Sequence, residues 1–155
     1  MLHRLRQTVD ELSGLHTKLI LLIGPPGSGK SSVLAKLGSE RQLAVLNVGL
    51  ELSRRLSQVA RDQRPLAASR ILRQLADDRS FQDLLLIDNV EVLFDASLKA
   101  DPLGLLKQLA RNVRVVAAWP GELREGRLIY AEMGHPEHQE FDVAGVIPIQ
   151  IEKTN

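Results

Sequence analysis

Residues 19–31 of the 155-residue chain read Leu-Ile-Leu-Leu-Ile-Gly-Pro-Pro-Gly-Ser-Gly-Lys-Ser. Residues 19–23 form a short run of aliphatic side chains, which is typical of a strand buried on both faces of a sheet. Residues 24–31 then match the pattern G-x-x-x-x-G-K-[ST] at every fixed position, and residues 30–37 predict a helix. The stretch therefore predicts a phosphate-binding P-loop between a buried strand and a helix.

The glycines, the lysine and the serines of this loop have separate predicted roles. Gly27 and Gly29 let the backbone wrap closely round a β-phosphate, where amide N–H groups and the helix N-terminus supply donors and partial positive charge. Lys30 is predicted to neutralise the β- and γ-phosphates, Ser31 to ligate Mg²⁺ and Ser32 to contact the α-phosphate. The complete predicted nucleotide-binding set is Gly24, Pro25, Pro26, Gly27, Ser28, Gly29, Lys30, Ser31 and Ser32. Because the sequence has no Asn-Lys-x-Asp motif of GTPases, we expect the cofactors to be ATP and Mg²⁺.

A second motif lies about 60 residues downstream of the P-loop. Residues 84–87 are four consecutive aliphatic residues, and Asp88 follows them directly. A buried strand that ends in an acid is the form of the Walker B motif, whose aspartate holds magnesium through its water shell. We therefore predict that Asp88 joins Ser31 in the metal site.

The sequence leaves the catalytic base open. Many P-loop ATPases place a glutamate directly after the Walker B aspartate, but this chain has Asn89, which cannot accept a proton as a carboxylate does. Glu91 and Glu51 are the two candidates, and Glu51 follows the second predicted strand at the carboxyl edge of the sheet. With Lys30, they form the predicted catalytic set. We expect slow hydrolysis, or hydrolysis that a partner completes.

Apolar periodicity places the other elements around these motifs. Helices are predicted at 2–13, 30–37, 50–59, 66–76 and 103–110, and strands at 19–23, 43–48, 84–88, 113–118, 127–133 and 146–151, with a turn at 134–136. Gly38 is predicted to end the second helix, and Pro65 to separate the third from the fourth. Strands that alternate with helices predict an α/β fold with a mostly parallel central sheet flanked by helices. We predict one P-loop NTPase domain over residues 1–155, with Walker A at 24–31 and Walker B at 84–88.

Composition excludes several other classes of protein. The chain has no cysteine, so it has no disulfide and no zinc-thiolate site. A net charge of +1 gives no field strong enough to predict autonomous binding of nucleic acid or of a membrane surface. No apolar run approaches the roughly 20 residues needed to cross a bilayer, and no signal peptide is evident. We expect a cytoplasmic protein.

Several further residues are secondary candidates for site roles. Arginines that could supply a finger to a neighbouring subunit's γ-phosphate are Arg111, Arg114, Arg124 and Arg127, with Arg54 and Arg55 as rivals beside Glu51. Trp119, the only tryptophan, ends the fourth predicted strand, where a packed core indole is at least as good an interpretation. His135 and His138 have a spacing compatible with metal binding, but a turn is the favoured interpretation.

Four motifs together give the chain a family resemblance. They are Gly24-Pro-Pro-Gly-Ser-Gly-Lys-Ser31, Asn47-Val-Gly-Leu-Glu-Leu-Ser-Arg-Arg-Leu56, Leu86-Ile-Asp-Asn-Val-Glu-Val-Leu-Phe94 with Asp101-Pro-Leu103, and Tyr130-Ala-Glu-Met-Gly-His-Pro-Glu137. With these motifs the chain resembles BrxF, the family of small P-loop proteins of bacteriophage-exclusion (BREX) defence systems. The first motif is common to many ATPases, and the other three discriminate.

The resemblance implies an AAA+/RecA-like ATPase core that works with partners, namely the large BREX ATPase, the PglZ-type protein and the DNA methyltransferase, with DNA contacted only within the complex. We also expect nucleotide-dependent self-assembly and, as a departure from AAA+ proteins, no helical lid domain after the last strand. The chain departs from AAA+ proteins where these carry a polar sensor residue at the end of the fourth strand, because residues 117–119 are Ala-Ala-Trp. This departure argues against autonomous motor activity.

Two other functions compete with an ATPase or assembly switch. Small-molecule kinases of the adenylate or shikimate type share this size and a similar loop, but no segment of the sequence resembles their arginine-bearing lid. A DNA-binding adaptor with a structural P-loop is the second alternative, and the balanced charge of the chain argues against it.

Overall fold

Helices and strands alternate along the chain in the computed structural model, which describes residues 2–12, 19–25, 27–79, 82–130 and 139–151. The helices within these residues are α1 (Leu2–Glu11), α2 (Lys30–Arg41), α3 (Val48–Leu56), α4 (Arg64–Asp77) and α5 (Pro102–Leu109). The strands are β1 (Leu19–Gly24), β2 (Leu46–Asn47), β3 (Leu84–Asp88), β4 (Arg114–Pro120), β5 (Glu122–Arg124), β6 (Arg127–Tyr130), β7 (Gln139–Asp142) and β8 (Ile147–Gln150). Short 3₁₀ helices occupy Arg61–Gln63, Val90–Phe94 and Ala96–Leu98.

Five of these strands form a parallel sheet in the order β2-β3-β4-β1-β8. The order places β1 between β4 and β8, and every residue of β1 is buried. A strand covered on both faces needs apolar side chains throughout, which is why residues 19–23 could be recognised as a strand. The carboxyl ends of β1 and β4 lie side by side, since Gly24 pairs with Pro120.

Helices cover both faces of this sheet. On one face, α1 and α2 pack against alternate strand residues such as Ile20, Leu86 and Val116. On the other face, α3, α4 and α5 pack against the intervening residues such as Leu21 and Ile87. Successive side chains of a strand point to opposite faces, so each strand serves both layers. The predicted α/β fold with a mostly parallel sheet flanked by helices is confirmed.

The second strand is much shorter than the sequence suggested. Residues 43–48 were expected to be extended, but β2 comprises only Leu46–Asn47, and Val48 already begins α3. Asn47 stops the strand because its side-chain oxygen accepts a hydrogen bond of 3.0 Å from the amide of Leu50, which caps the helix. The predicted extent of this strand was therefore wrong.

Gly38 does not end α2, which continues to Arg41. A Cβ at Gly38 would lie 2.6 Å from the carbonyl oxygen of Leu43, so the glycine allows the chain to pass close to the helix. The helix ends instead at Arg41, and the next residue, Gln42, adopts a left-handed conformation with φ 57°. The amide of Leu43 then donates to the carbonyl of Gly38 over 2.8 Å. The prediction of Gly38 as the C-terminal stop was wrong.

A second, antiparallel sheet was not anticipated from the sequence. Strands β5, β6 and β7 pair in that order, and the turn between β5 and β6 has φ 50° at Glu125 and 76° at Gly126. Two consecutive positive φ values are typical of a tight hairpin turn. The strand predicted at 127–133 is confirmed over β6, whereas its last residues and the turn at 134–136 lie outside the described residues.

The remaining predicted elements agree with the structure to within a few residues. Pro65 stands in the first turn of α4, and Pro102 in the first turn of α5. Asp101 caps α5 by accepting a hydrogen bond of 3.1 Å from the amide of Gly104. In the described ranges, no helix combines the length and the apolar character that crossing a membrane requires.

Candidate functional site

The P-loop connects the carboxyl end of β1 to the first residue of α2. Gly27 and Gly29 adopt φ values of 79° and 99°, which other residues rarely adopt. No heavy atom lies within 4 Å of the position that a Cβ would take on either glycine, so the space beside them is open. Gly24 is tightly packed in contrast, since a Cβ there would overlap the Ser28 hydroxyl. The loop thus has the open, glycine-lined backbone that phosphate groups need.

Lys30 is the one buried charged side chain among the described residues, with 8% of its surface exposed. Its ammonium group donates hydrogen bonds of 2.6 Å to the carbonyl of Gly24, 2.8 Å to the carbonyl of Pro25 and 3.4 Å to the Ser28 hydroxyl. Burial lowers the pKa of Lys30, and the negative charges of Glu91 and Asp88 act in the opposite direction. The ammonium group therefore lies inside the loop, and the charges of both carboxylates affect its pKa.

Asp88 lies at the same edge of the sheet as the P-loop. It ends β3, and β3 is separated from β1 by β4 alone. Its carboxylate accepts a hydrogen bond of 2.9 Å from the amide of Asn89. Ser31 is exposed in the first turn of α2.

These residues fit a magnesium-bound triphosphate. The glycine-lined loop and the N-terminus of α2 offer N–H donors, and Lys30 supplies the positive charge. The Ser31 hydroxyl and the Asp88 carboxylate are oxygen ligands of the kind that Mg²⁺ prefers, together with phosphate oxygens and water. Within the described residues, no group of three or more histidine or acidic side chains could bind a metal without such help.

The two candidate bases have different surroundings. Glu91 is exposed in the 3₁₀ helix that follows Asn89, and its charge acts on Lys30. Glu51 lies in the first turn of α3, after β2, where Arg54 stands 3.8 Å from its carboxylate. Glu91 is therefore the candidate whose charge acts on the lysine of the P-loop, whereas Glu51 lies beside an arginine of its own helix.

The backbone of Asn89 has an unusual conformation and a close neighbour. It adopts φ 58°, a left-handed conformation that asparagine tolerates better than most residues. A Cβ at Gly49 would lie 3.0 Å from the carbonyl oxygen of Asn89, so the start of α3 packs on this turn. Gly49 was not among the residues predicted for the site, and its place within the motif at 47–56 was the only feature of the sequence that pointed to it.

Most candidate arginines are engaged elsewhere. Arg114 is at the amino end of β4, whereas the P-loop lies at the carboxyl ends of the strands. Its guanidinium donates to the carbonyl of Val9 at 2.9 Å and to the carboxylate of Asp83 at 3.1 Å. Arg111 lies beside it, also far along the sheet from the P-loop. The other candidates have acidic neighbours, namely Glu122 for Arg124, Glu140 for Arg127 and Asp78 for Arg55. Arg111 and Arg114 therefore lie away from this chain's own P-loop, and their role as fingers to a neighbouring subunit's γ-phosphate stays a prediction.

Trp119 is a core residue. It is fully buried and packs edge-on against Phe94 at 5.1 Å and Phe141 at 5.3 Å between ring centroids. Its indole nitrogen has no hydrogen-bond partner among the described residues. Because Ala117, Ala118 and Trp119 are all buried and Pro120 follows, the carboxyl half of β4 offers no polar sensor side chain. The interpretation of Trp119 as a packed indole agrees with this arrangement.

Backbone contacts that the sequence did not signal hold the base of the P-loop. The amide of Gly121 donates to the carbonyl of Gly24 at 3.2 Å, and the amide of Ile151 donates to the carbonyl of Ile23 at 2.8 Å. Three predicted residues lie outside the described residues: Pro26 of the loop, and His135 and His138.

Comparison with known proteins establishes the fold. No protein-family model matches the chain, and no curated protein matches its sequence. The structure is similar to that of C. elegans PCH-2, with a TM-score of 0.50, 18% identity, and 99% of this chain and 41% of that chain covered. It is also similar to AMPPCP-bound DnaA from Aquifex aeolicus, with a TM-score of 0.52, 15% identity, and 94% and 44% covered.

Both of these neighbours are AAA+ ATPases, and the chain shares with them an α/β fold that has a mostly parallel sheet flanked by helices. The chain spans less than half the length of either neighbour.

Proposed function

We propose that the chain binds Mg-ATP on residues 24–31 and acts as a slow ATPase or as a nucleotide-dependent assembly switch within a BREX defence complex. The observation that carries the proposal is the buried ammonium of Lys30, whose described hydrogen-bond acceptors are two loop carbonyls and a hydroxyl. No carboxylate forms an ion pair with it in the described structure, so a buried positive charge remains to be neutralised. The AAA+ fold, shared with an AMPPCP-bound neighbour, supports the same function.

The residues of the site have distinct roles in this proposal. Lys30 exchanges the carbonyls of Gly24 and Pro25 for phosphate oxygens, and the amides around Gly27 and Gly29 donate to the same phosphates. Ser31 and Asp88 would hold the magnesium ion, which would stabilise the negative charge that develops on the phosphate oxygens. A carboxylate then orients the attacking water and accepts its proton.

We expect slow ATP turnover because two positions beside the proposed site lack the polar groups that hydrolysis uses. Asn89 occupies the position after Asp88 and offers no carboxylate. The described residues of β4 place Ala118, Trp119 and Pro120 at the edge where a polar sensor would stand. We infer that a second copy of the chain or a partner completes the hydrolytic site.

The proposed partners rest on the motifs shared with the BrxF family. They are the large BREX ATPase, the PglZ-type protein and the DNA methyltransferase, with DNA contacted through the complex. ATP binding would promote self-association or the docking of these proteins. A cytoplasmic location belongs to the same proposal.

Calorimetric titration of the pure protein with Mg-ATP tests nucleotide binding. We expect binding by the wild type, loss of binding in Lys30→Ala, and wild-type binding in Lys36→Ala, because Lys36 is exposed on the same helix. At a hundred times its dissociation constant, the ligand should also raise the free energy of unfolding by about 2.7 kcal/mol. Absence of heat and of stabilisation with every Mg-purine triphosphate would refute nucleotide binding.

Light scattering tests the switch. We expect a larger mass, or tighter binding of a BREX partner, with Mg-ATP than without it in the wild type, and no such difference in Lys30→Ala. Equal masses and equal partner affinities in both states would leave nucleotide binding intact but refute the switch.

A further inference from the structure

A groove of about 850 Å³ opens between α4 and α5 at the amino ends of β3 and β4. These amino ends are at the opposite end of the strands from the P-loop, which follows the carboxyl end of β1. Buried or partly buried aliphatic side chains form its floor, among them Leu72, Leu85 and Leu105. We call it the arginine groove, because Arg73, Arg79, Arg111 and Arg114 all line it.

The charges of the arginine groove do not balance. Its four arginines face two aspartates, Asp77 and Asp83. Arg114 pairs with Asp83 at 3.1 Å, whereas no ion pair of the other three arginines occurs within the described part of the chain. Guanidinium groups bind carboxylates through paired hydrogen bonds, so the free arginines favour an anionic ligand.

The aliphatic floor adds a second requirement, since it favours apolar surface on the ligand. A ligand that fits the groove therefore carries an anionic group and apolar surface.

We propose that the arginine groove binds an acidic, amphipathic peptide segment of a partner protein. Such a segment has carboxylates for the arginines and aliphatic side chains for the floor. Small-ligand sites enclose most of their ligand, whereas Arg73, Gln108 and Arg111 are exposed along this groove. Nucleic acid favours an unbroken positive surface, and the aspartates interrupt this one.

Phage display of random peptides against the full chain tests the proposal, with counter-selection against the double variant Arg73→Gln/Arg111→Gln. We expect enriched peptides to combine Asp or Glu with aliphatic residues. In fluorescence anisotropy, a labelled enriched peptide should bind the double variant roughly tenfold more weakly than the wild type. Arg70→Gln is the matched control, because Arg70 is exposed on α4 but does not line the groove.

Each outcome decides for or against the proposal. Binding that Arg70→Gln leaves unchanged and the double variant weakens would support it, provided that both variants melt like the wild type. No enrichment, enrichment of peptides without acidic residues, or equal affinity for the double variant would overturn it. Competition by duplex DNA or by citrate in place of peptide would assign the groove to nucleic acid or to a small anion. Because the P-loop lies at the other edge, Lys30→Ala should bind the peptide normally, so this test is independent of nucleotide binding.

Discussion

Lys30 and Gly24 are joined across the P-loop, where the lysine ammonium donates a hydrogen bond of 2.6 Å to the glycine carbonyl. A second bond of 2.8 Å runs to the carbonyl of Pro25. Burial lowers the pKa of this lysine in the folded protein. The charge is therefore less favourable in the folded state than in the unfolded chain, and the difference is measurable.

The pH dependence of stability should report this buried charge. Between the lowered pKa of Lys30 and the ordinary lysine value of about 10.4, the unfolded chain binds more protons than the folded protein. The contribution of Lys30 to stability should therefore rise with pH through that window. We expect the free energy of unfolding of the wild type to increase relative to that of Lys30→Met, as measured by urea denaturation from neutral pH upwards.

Lys30→Arg provides the control for this measurement. Its guanidinium does not titrate below about pH 12, so the wild type should gain stability relative to it over the same window. A gap between the wild type and Lys30→Met that stays constant with pH would show that the lysine is not desolvated by folding.

Glu91 should matter more for ATP turnover than Glu51. The charge of Glu91 acts on Lys30, whereas Glu51 has Arg54 at 3.8 Å. A general base commonly contributes at least about a hundredfold to rate. We expect Glu91→Gln to lower the rate of phosphate release with Mg-ATP by about that factor with nucleotide binding retained, and Glu51→Gln to have a smaller effect.

Glu125→Gln is the control for this comparison, since Glu125 is exposed in the turn between β5 and β6. Its turnover should equal that of the wild type. A larger loss in Glu51→Gln than in Glu91→Gln would assign the base to Glu51, and unchanged turnover in both would exclude both.

The parts of the fold that sequence alone predicted are those in which one local pattern has one solution. The strands β1 and β3 need unbroken aliphatic runs because they are covered on both faces, and the runs at 19–23 and 84–87 supply them. The P-loop pattern fixes the glycines, the lysine and the following helix together. Residues 24–31 and Asp88 could therefore be placed at one edge of the sheet without the structure.

The parts that could not be predicted depend on distant contacts. Gly38 looked like a helix end, but its lack of a side chain serves the passage of Leu43 beside the helix. The strands of the antiparallel sheet are short and combine polar with apolar residues, so they give a weak pattern. This sheet contacts the rest of the fold through Phe94, which stacks on Tyr130 with ring centroids 4.0 Å apart. The surroundings of Glu91 and Glu51 also depend on the folded structure, because the spacing of residues along the sequence does not predict their ion pairs or their burial.

The end of α2 can be stabilised by one substitution. Gln42 adopts the left-handed conformation that follows many helices and that glycine adopts without strain. Gln42→Gly should therefore raise the free energy of unfolding, by about 0.5–1 kcal/mol. Gln42→Ala keeps a Cβ and should give no such gain. Urea denaturation of both variants checks this, and a glycine variant less stable than the alanine variant would contradict it.

Gly121 links the P-loop to the antiparallel sheet, and we expect this position to tolerate no side chain. Its amide donates to the carbonyl of Gly24 at 3.2 Å, while a Cβ would overlap the carbonyl oxygen of Ile129. Gly145 is the matched control, since its φ of 78° is also positive but no atom lies within 4 Å of its Cβ position. Gly145→Ala should cost only the backbone strain, about 1 kcal/mol.

Gly121→Ala should cost about 3 kcal/mol or more, because β6 must move away or the P-loop must shift. Circular dichroism during urea denaturation measures both free energies of unfolding. If the loop shifts, Gly121→Ala should also weaken binding of Mg-ATP, whereas Gly145→Ala should leave the affinity unchanged. Equal stabilities for the two variants would mean that the contact between Gly121 and Ile129 does not constrain this junction.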